Sequence, residues 1–305
     1  MSDDGSLDSN PSNVPEYDSA WEKEENLDST KMRVTEWVES SGHALEMRLT
    51  RTLLQSGADS ATMGRKYQSK DAESGRAREI DSVGRFDILG SRVTGSLNLV
   101  VEAKESPKQS WIAMYQDDAN DDDHEALDAP EEHFVGSRRS TPSQAASGRG
   151  STENRLSRLW QGMAPFETTQ PASSIADGPG PIDDNRAKNN QKQTSVTAIH
   201  AAFSGAAGLQ QEFRKRQEFS GFTSSPTEFG IFIPVAVTPA RLFQARLGTS
   251  DVVVTDVNRL GVRVTIPGAG TRTVFVVREN AFEEFVNDIR RCVDIANESV
   301  RSGRL

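Results

Sequence analysis

The sequence predicts an α/β fold: a mixed β-sheet core flanked by helices on both faces, interrupted once by a long insertion expected to be disordered. Three observations predict it. Apolar, β-branched runs recur at 97–101, 231–237, 252–257, 262–266 and 273–277, with the length and composition of strands. Amphipathic helical spacing appears at 34–57, 195–218 and 282–300. Between 117 and 194 the chain turns to Asp, Ser, Gly, Pro and Gln, which suits neither element. Helices and strands alternating along one chain pack as layers around one core.

Residues 1–30 form an acidic tail with few apolar groups, expected to be disordered, and nothing in it resembles a signal peptide. From Val34 the apolar residues Val34, Val38, Leu45, Leu49 and Leu53 keep helical spacing, and Gly57 is a C-terminal stop. Glu46 adjoins that stripe. Arg78-Glu79-Ile80-Asp81 leads into a strand that runs to Asp87, and Ile88 to Ser96, with Gly90 and Gly95, has the make-up of a hairpin connection. Antiparallel pairing across it brings Asp81 near Glu102. The next strand, Leu97 to Lys104, ends by placing Glu102 and Lys104 on one face, about 7 Å apart. Opposite charges at the end of a buried strand are costly unless they pair or bind a metal.

The insertion, 117–194, is too long for an ordinary loop and divides the folded chain into 31–116 and 195–305. Within it, Asn154 to Met163 has the spacing of a short helix. Asp121-Asp122-Asp123 lacks the Gly and the closing Glu of a calcium loop. After it, Ser195 to Glu218 reads as a helix weakened by Gly205 and Gly208. That helix ends in Arg214-Lys215-Arg216, which suits both a helix C-terminus and a phosphate contact. The run 231–237 extends the sheet, and Pro234 within it argues for an edge position or a bulge. Phe282 to Val300 closes the chain as an amphipathic helix.

Charge is unevenly spread. The net charge is −10, yet residues 1–30 hold nine acids and one Lys, and residues 117–132 hold nine acids and no Lys or Arg. Setting those aside leaves 27 acids against 34 bases, so the remainder carries about +7. A positive surface is what phosphate binding requires.

Other chemistries find no support. His43, His124, His133 and His200 are scattered, so neither a histidine metal cluster nor a hydrolase triad is indicated. Cys292 is the only cysteine, which excludes an intrachain disulfide and a thiolate zinc site. Pro267-Gly268-Ala269-Gly270 lacks the Lys-Ser or Lys-Thr of a phosphate loop and reads as a hairpin turn. No apolar run is long enough for a membrane span, and a cytoplasmic protein is expected.

A helix carrying Glu46, a strand carrying Asp81, then Glu102-Ala103-Lys104 on the next strand, with Ser106 and Trp111 following, resembles the PD-(D/E)XK, or restriction-endonuclease-like, nucleases and small bacterial members in particular. The resemblance covers 34–115 well and 195–298 more loosely. Ile80 stands where that pattern has Pro. The resemblance implies a restriction-endonuclease-like sheet and a Mg²⁺-dependent nuclease, with Mn²⁺ a substitute and DNA the expected substrate. It implies Asp81 and Glu102 as metal ligands, Lys104 as the catalytic cation and Glu46 in support. Oxygen ligands suit Mg²⁺, and phosphodiester hydrolysis needs such an ion to neutralise charge and acidify water. Lys108, Gln109, Arg214, Lys215 and Arg216 are candidate phosphate contacts, and Trp111 is expected to pack. A homodimer would suit double-strand cutting, and the acidic insertion is a candidate shield for the site or docking segment for a protein partner. The alternative expectation is a non-cleaving nucleic-acid-binding or assembly module of the same fold.

Overall fold

A computed structural model describes residues 20–68, 77–90, 93–105, 109–115, 134–136, 171–178, 194–219, 227–248, 251–267 and 269–303. The chain divides into two units, Met1–Ser41 and Gly42–Leu305.

The described residues of the first unit form a helix, α1 (Ala20–Ser40), on which Leu27, Met32, Val34 and Trp37 are exposed. Two sequence expectations change here. Residues 20–30, read as tail, are helical, and the single helix expected over 34–57 is two. The break falls at Gly42, whose φ of 82° lies in the left-handed region that glycine enters at little cost. The next helix, α2 (His43–Gln55), begins the second unit, and Gly57, at φ 87°, ends it as expected.

The second unit is built on a seven-stranded sheet. Its strands are β1 (Ser60–Gln68), β2 (Ala77–Leu89), β3 (Val93–Ala103), β5 (Phe134–Gly136), β7 (Thr227–Thr238), β10 (Arg259–Ile266) and β11 (Gly270–Arg278). The order is β1-β2-β3-β7-β11-β10, and β5 also pairs with β7. β1, β2 and β3 are antiparallel neighbours, β3, β7 and β11 run parallel, and β10 returns antiparallel. A second, four-stranded sheet has the order β6-β4-β8-β9, from β4 (Ser110–Tyr115), β6 (Ser174–Gly178), β8 (Leu242–Leu247) and β9 (Val252–Val257). Among the described residues two further helices follow: α3 (Thr194–Phe219) and, after a short 3-10 turn, α4 (Phe282–Arg301).

The expected mixed sheet with helices on both faces is present. Leu45, Leu49 and Leu53 of α2 join Phe282, Phe285, Val286 and Ile289 of α4 in one buried cluster with Leu97, Leu99 and Val101 of β3. On the other face α3 buries Ala198, Ile199, Ala202 and Phe203 against Val274 and Val276, together with Trp111 and Leu242 of the second sheet. Further along, Ala206, Leu209 and Phe213 meet Ile80, Val83 and Val100. Gly205 and Gly208 are what let α3 approach so closely. A Cβ at Gly205 would lie 3.0 Å from Ile80, and one at Gly208 only 2.2 Å from the Tyr67 ring.

Pro234 is not on an edge strand. β7 is central, paired with β3 along 227–237 and flanked on its other side by β5 at 229–231 and by β11 at 235–238. Among the described residues, Pro234 sits between those two partners and pairs with neither, so none of them loses a bond to its missing N–H. The segment read as an insertion also contributes structure, since β5 pairs with β7 and β6 with β4. The helix expected at 154–163 lies outside the described residues. Of the helices among the described residues, none is long and apolar enough to cross a membrane.

Candidate metal centre

The β2–β3 hairpin is more tightly drawn than the sequence suggested. Pairing continues to Leu89 opposite Thr94 rather than stopping near Ile88. At its other end, the register of Ser82 opposite Val101 carries Asp81 to the level of Glu102. There the strand is distorted. Ile80 and Val83 both pack in the cluster beneath α3, although residues three apart on a regular strand face opposite ways. On the neighbouring strand, Gly64 occupies the step between the pairs Met63–Ser82 and Arg65–Ile80, and its φ is 66°. Such local kinks re-aim a side chain. Here the side chain is Asp81, and its Oδ2 accepts the backbone N–H of Ala103 at 2.7 Å.

β3 continues the arrangement. The Lys104 N–H donates to Val237 O at 2.8 Å, which extends the β3–β7 pairing past Glu102 and fixes the backbone of the Glu-x-Lys run. Glu102 and Lys104 are both half-buried.

Glu46 comes from the first turn of α2. Its Oε2 meets His43 Nδ1 at 3.2 Å, and its backbone O accepts Thr50 Oγ1 at 2.8 Å. The same Thr50 hydroxyl is 2.9 Å from Ser82 Oγ, next to Asp81. This link clamps the helix bearing Glu46 to the strand bearing Asp81.

The electrostatics join all four residues. Burial pushes the Asp81 carboxyl up to about 6, against the pull of the Ala103 amide, with Glu46 raising it further and Lys104 opposing the rise. Glu102 is pushed up to about 8, by burial first and then by Asp81, with Lys104 again opposing and Glu46 adding to the rise. Two carboxyls that resist ionising beside each other gain most when a cation arrives.

Among the described residues, no group of three or more His, Cys, Asp or Glu side chains could hold a metal ion. The donor set that is present fits Mg²⁺ nonetheless, because that ion is usually held by one or two carboxylates and keeps several waters. Asp81 and Glu102 supply two hard oxygen donors at one level of adjacent strands.

The basic candidates lie elsewhere. Arg214, Lys215 and Arg216 are exposed near the C-terminal end of α3. That helix starts beside Gln109 and Asp177, through Thr194, and its far end reaches Glu228, through Gln217, so it runs antiparallel to β3. The three cations therefore stand at the opposite end of the sheet from Glu102. Lys108 and Ser106 lie outside the described residues. Gln109 accepts Thr194 Oγ1 at 3.1 Å, and Trp111 is fully buried in the core, as expected. Cys292 is also buried, its thiol pushed up to about 12 mainly by that burial.

Sequence reasoning missed Arg48 and Arg278, which with Thr52, Pro239, Glu279 and Glu283 line a cavity of about 530 Å³ by the carboxyl ends of β7 and β11. Arg48 lies two residues beyond Glu46, and its Nε is 2.7 Å from Glu279 Oε1. Helical spacing explained only the apolar face of α2, so a cation on the other face carried no signal.

No family model matches the sequence, and neither a curated protein nor a solved structure matches the chain.

Proposed function

We propose that the chain is a restriction-endonuclease-like, Mg²⁺-dependent nuclease that hydrolyses phosphodiester bonds of nucleic acid, with DNA the expected substrate. The observation that carries this reading is the meeting of Asp81 and Glu102, 21 residues apart in sequence, at one level of adjacent strands with both carboxyls held above their usual range.

In this reading Asp81 and Glu102 would hold the ion, and the Ala103 amide fixes the orientation of the Asp81 carboxylate. Bound there, Mg²⁺ would supply charge neutralisation at the phosphate and acidify a water. Lys104 Nζ, presented from the strand that carries Glu102, orients the attacking water and stabilises negative charge developing on the phosphate oxygens. Glu46, steadied by His43, accepts a hydrogen bond from a water on the helix side. Arg48 and Arg278 line a nearby cavity, but Glu279 and Glu283 line it too and Glu279 and Asp256 pair with the two arginines, so no part in phosphate binding is assigned to them.

Purified protein with Mg²⁺ or Mn²⁺ is expected to cut at least one form in a panel of single- and double-stranded DNA and RNA, and Lys104→Ala is expected not to. Binding without cutting by both proteins would instead identify a non-cleaving module of the same fold.

A further inference from the structure

On the α3 face of the large sheet, about 13 Å along β3 from Glu102 at strand spacing, a second pocket of about 220 Å³ opens. Its floor is polar where a central strand should be apolar. Asn98 and Ser96 of β3 are each only 6% exposed, between the core residues Leu97 and Leu99. Asn98 Nδ2 donates to Ser96 Oγ at 3.0 Å and to Ile231 O at 3.2 Å. A carbonyl partner fixes which end of the amide is nitrogen. Asn98 Oδ1 is thereby left as an acceptor without a partner among the described residues, at the floor of the pocket. That oxygen is not among the fully buried atoms without a partner, so it is open to accept a hydrogen bond from an occupant of the pocket.

The rest of the lining says what that something is. Arg65, Arg85 and Arg216 converge from β1, β2 and α3 on the pocket, against the single carboxylate of Glu228. Arg65 and Arg85 are steadied by Glu212 and Asp87, at 3.4 and 2.7 Å. Arg216 has no carboxylate partner among the described residues and instead lies over the Phe213 ring, 5.8 Å from its centroid. Phe213 and Phe232, packed edge to face at 5.9 Å, form an apolar wall.

We infer that this pocket binds one nucleotide, its phosphate held by Arg85 and Arg216 at the rim and its base lying against Phe213 and Phe232 with an N–H donated to Asn98 Oδ1. Guanidinium groups match phosphate, aromatic faces match a base, and the amide oxygen can accept from a base N–H. At about 220 Å³ the cavity is below the roughly 300–1,000 Å³ of drug-sized sites, so it excludes a duplex and takes at most one nucleotide with its phosphate outside, at the rim. The nucleotide is either free or the end of a nucleic-acid strand. The site shares no residue with the metal centre.

Calorimetric titration of the full chain in EDTA tests this, with the four nucleoside 5′-monophosphates, the nucleosides, inorganic phosphate and a 5′-phosphorylated single-stranded oligonucleotide as probes. At least one monophosphate is expected to bind about tenfold or more tighter than its nucleoside or phosphate alone. Arg85→Ala and Arg216→Ala, both at exposed positions, are each expected to weaken it about tenfold or more with thermal unfolding unchanged, the loss of one charge-assisted contact. Oligonucleotide binding that competes with the monophosphate assigns the site to a strand end, and monophosphate binding alone assigns it to a free nucleotide. The inference is overturned if neither probe binds at millimolar concentration, if phosphate alone binds as tightly, or if both arginine variants bind as the parent does. Because metal and cleavage are absent, failure here leaves the nuclease reading untouched, and failure of that reading leaves this one.

Discussion

The Asp81 carboxylate takes the backbone N–H of Ala103 at 2.7 Å, so a side chain of β2 holds the residue that separates Glu102 from Lys104. One contact thus sets the aim of one acid and the backbone between the other acid and the amine.

Asp81→Asn keeps an oxygen for the Ala103 amide while removing the charge, and Glu102→Gln does the same on β3. Both are expected to fold and to lose Mg²⁺-dependent cleavage, and Lys104→Ala is expected to lower the rate by about 10²- to 10⁴-fold, the usual range for a group acting on a proton in the transition state. Single-turnover cleavage rates, with circular dichroism as the control for folding, check this.

Glu102 also makes stability depend on pH. Its folded pKa, about 8, lies above its ordinary value of 4.5, so the folded state holds its proton more tightly. The stabilisation from that proton is complete below about pH 4.5 and is lost as pH rises through about 8. Metal-free Glu102→Gln should therefore gain thermal stability relative to the parent between pH 5 and pH 8, and a constant difference across that window would contradict the burial described.

Metal binding should oppose the same penalty. Adding Mg²⁺ at pH 8 is expected to raise the melting temperature of the parent and not that of the Asp81→Asn, Glu102→Gln double variant, because a ligand that binds only the folded state stabilises it. Differential scanning calorimetry with and without Mg²⁺ reads this directly.

The approach of α3 to the sheet gives a prediction independent of chemistry. Gly208→Ala places a methyl 2.2 Å from Tyr67 and should cost about 1–3 kcal/mol by urea unfolding. Gly205→Ala, at 3.0 Å from Ile80, should cost less.

Thr50→Val removes the hydroxyl that joins Glu46 O to Ser82 Oγ. A loss of about 1 kcal/mol in stability is expected, together with slower cleavage, because this link ties the helix bearing Glu46 to the strand bearing Asp81.

Much of this was legible in the sequence because it rests on periodicity. The strands carrying Asp81 and Glu102, their antiparallel pairing and the closing helix followed from alternation and helical spacing. Other features depend on contacts that sequence spacing does not encode. Pro234 lies in a central strand, and among the described residues the pairs with β5 stop before it and those with β11 start after it. Gly205 and Gly208 read as helix weakeners, whereas the structure uses them for close packing against Ile80 and Tyr67. The four-stranded sheet draws β6 from a polar stretch and β9 from a run whose Val252, Val253 and Val254 are all exposed, so no buried face marked either one's partner. Likewise Arg214, Lys215 and Arg216 read as cations at the end of a helix, and only the direction of α3 put them at the far end of the sheet from Glu102.

The most direct test is cleavage of a nucleic-acid panel by the full chain under Mg²⁺ titration, with Asp81→Asn as the control. The account predicts product that rises with Mg²⁺, disappears with EDTA and is absent in the variant. Intact substrates at every Mg²⁺ and Mn²⁺ concentration, or equal cleavage by parent and variant, would contradict it.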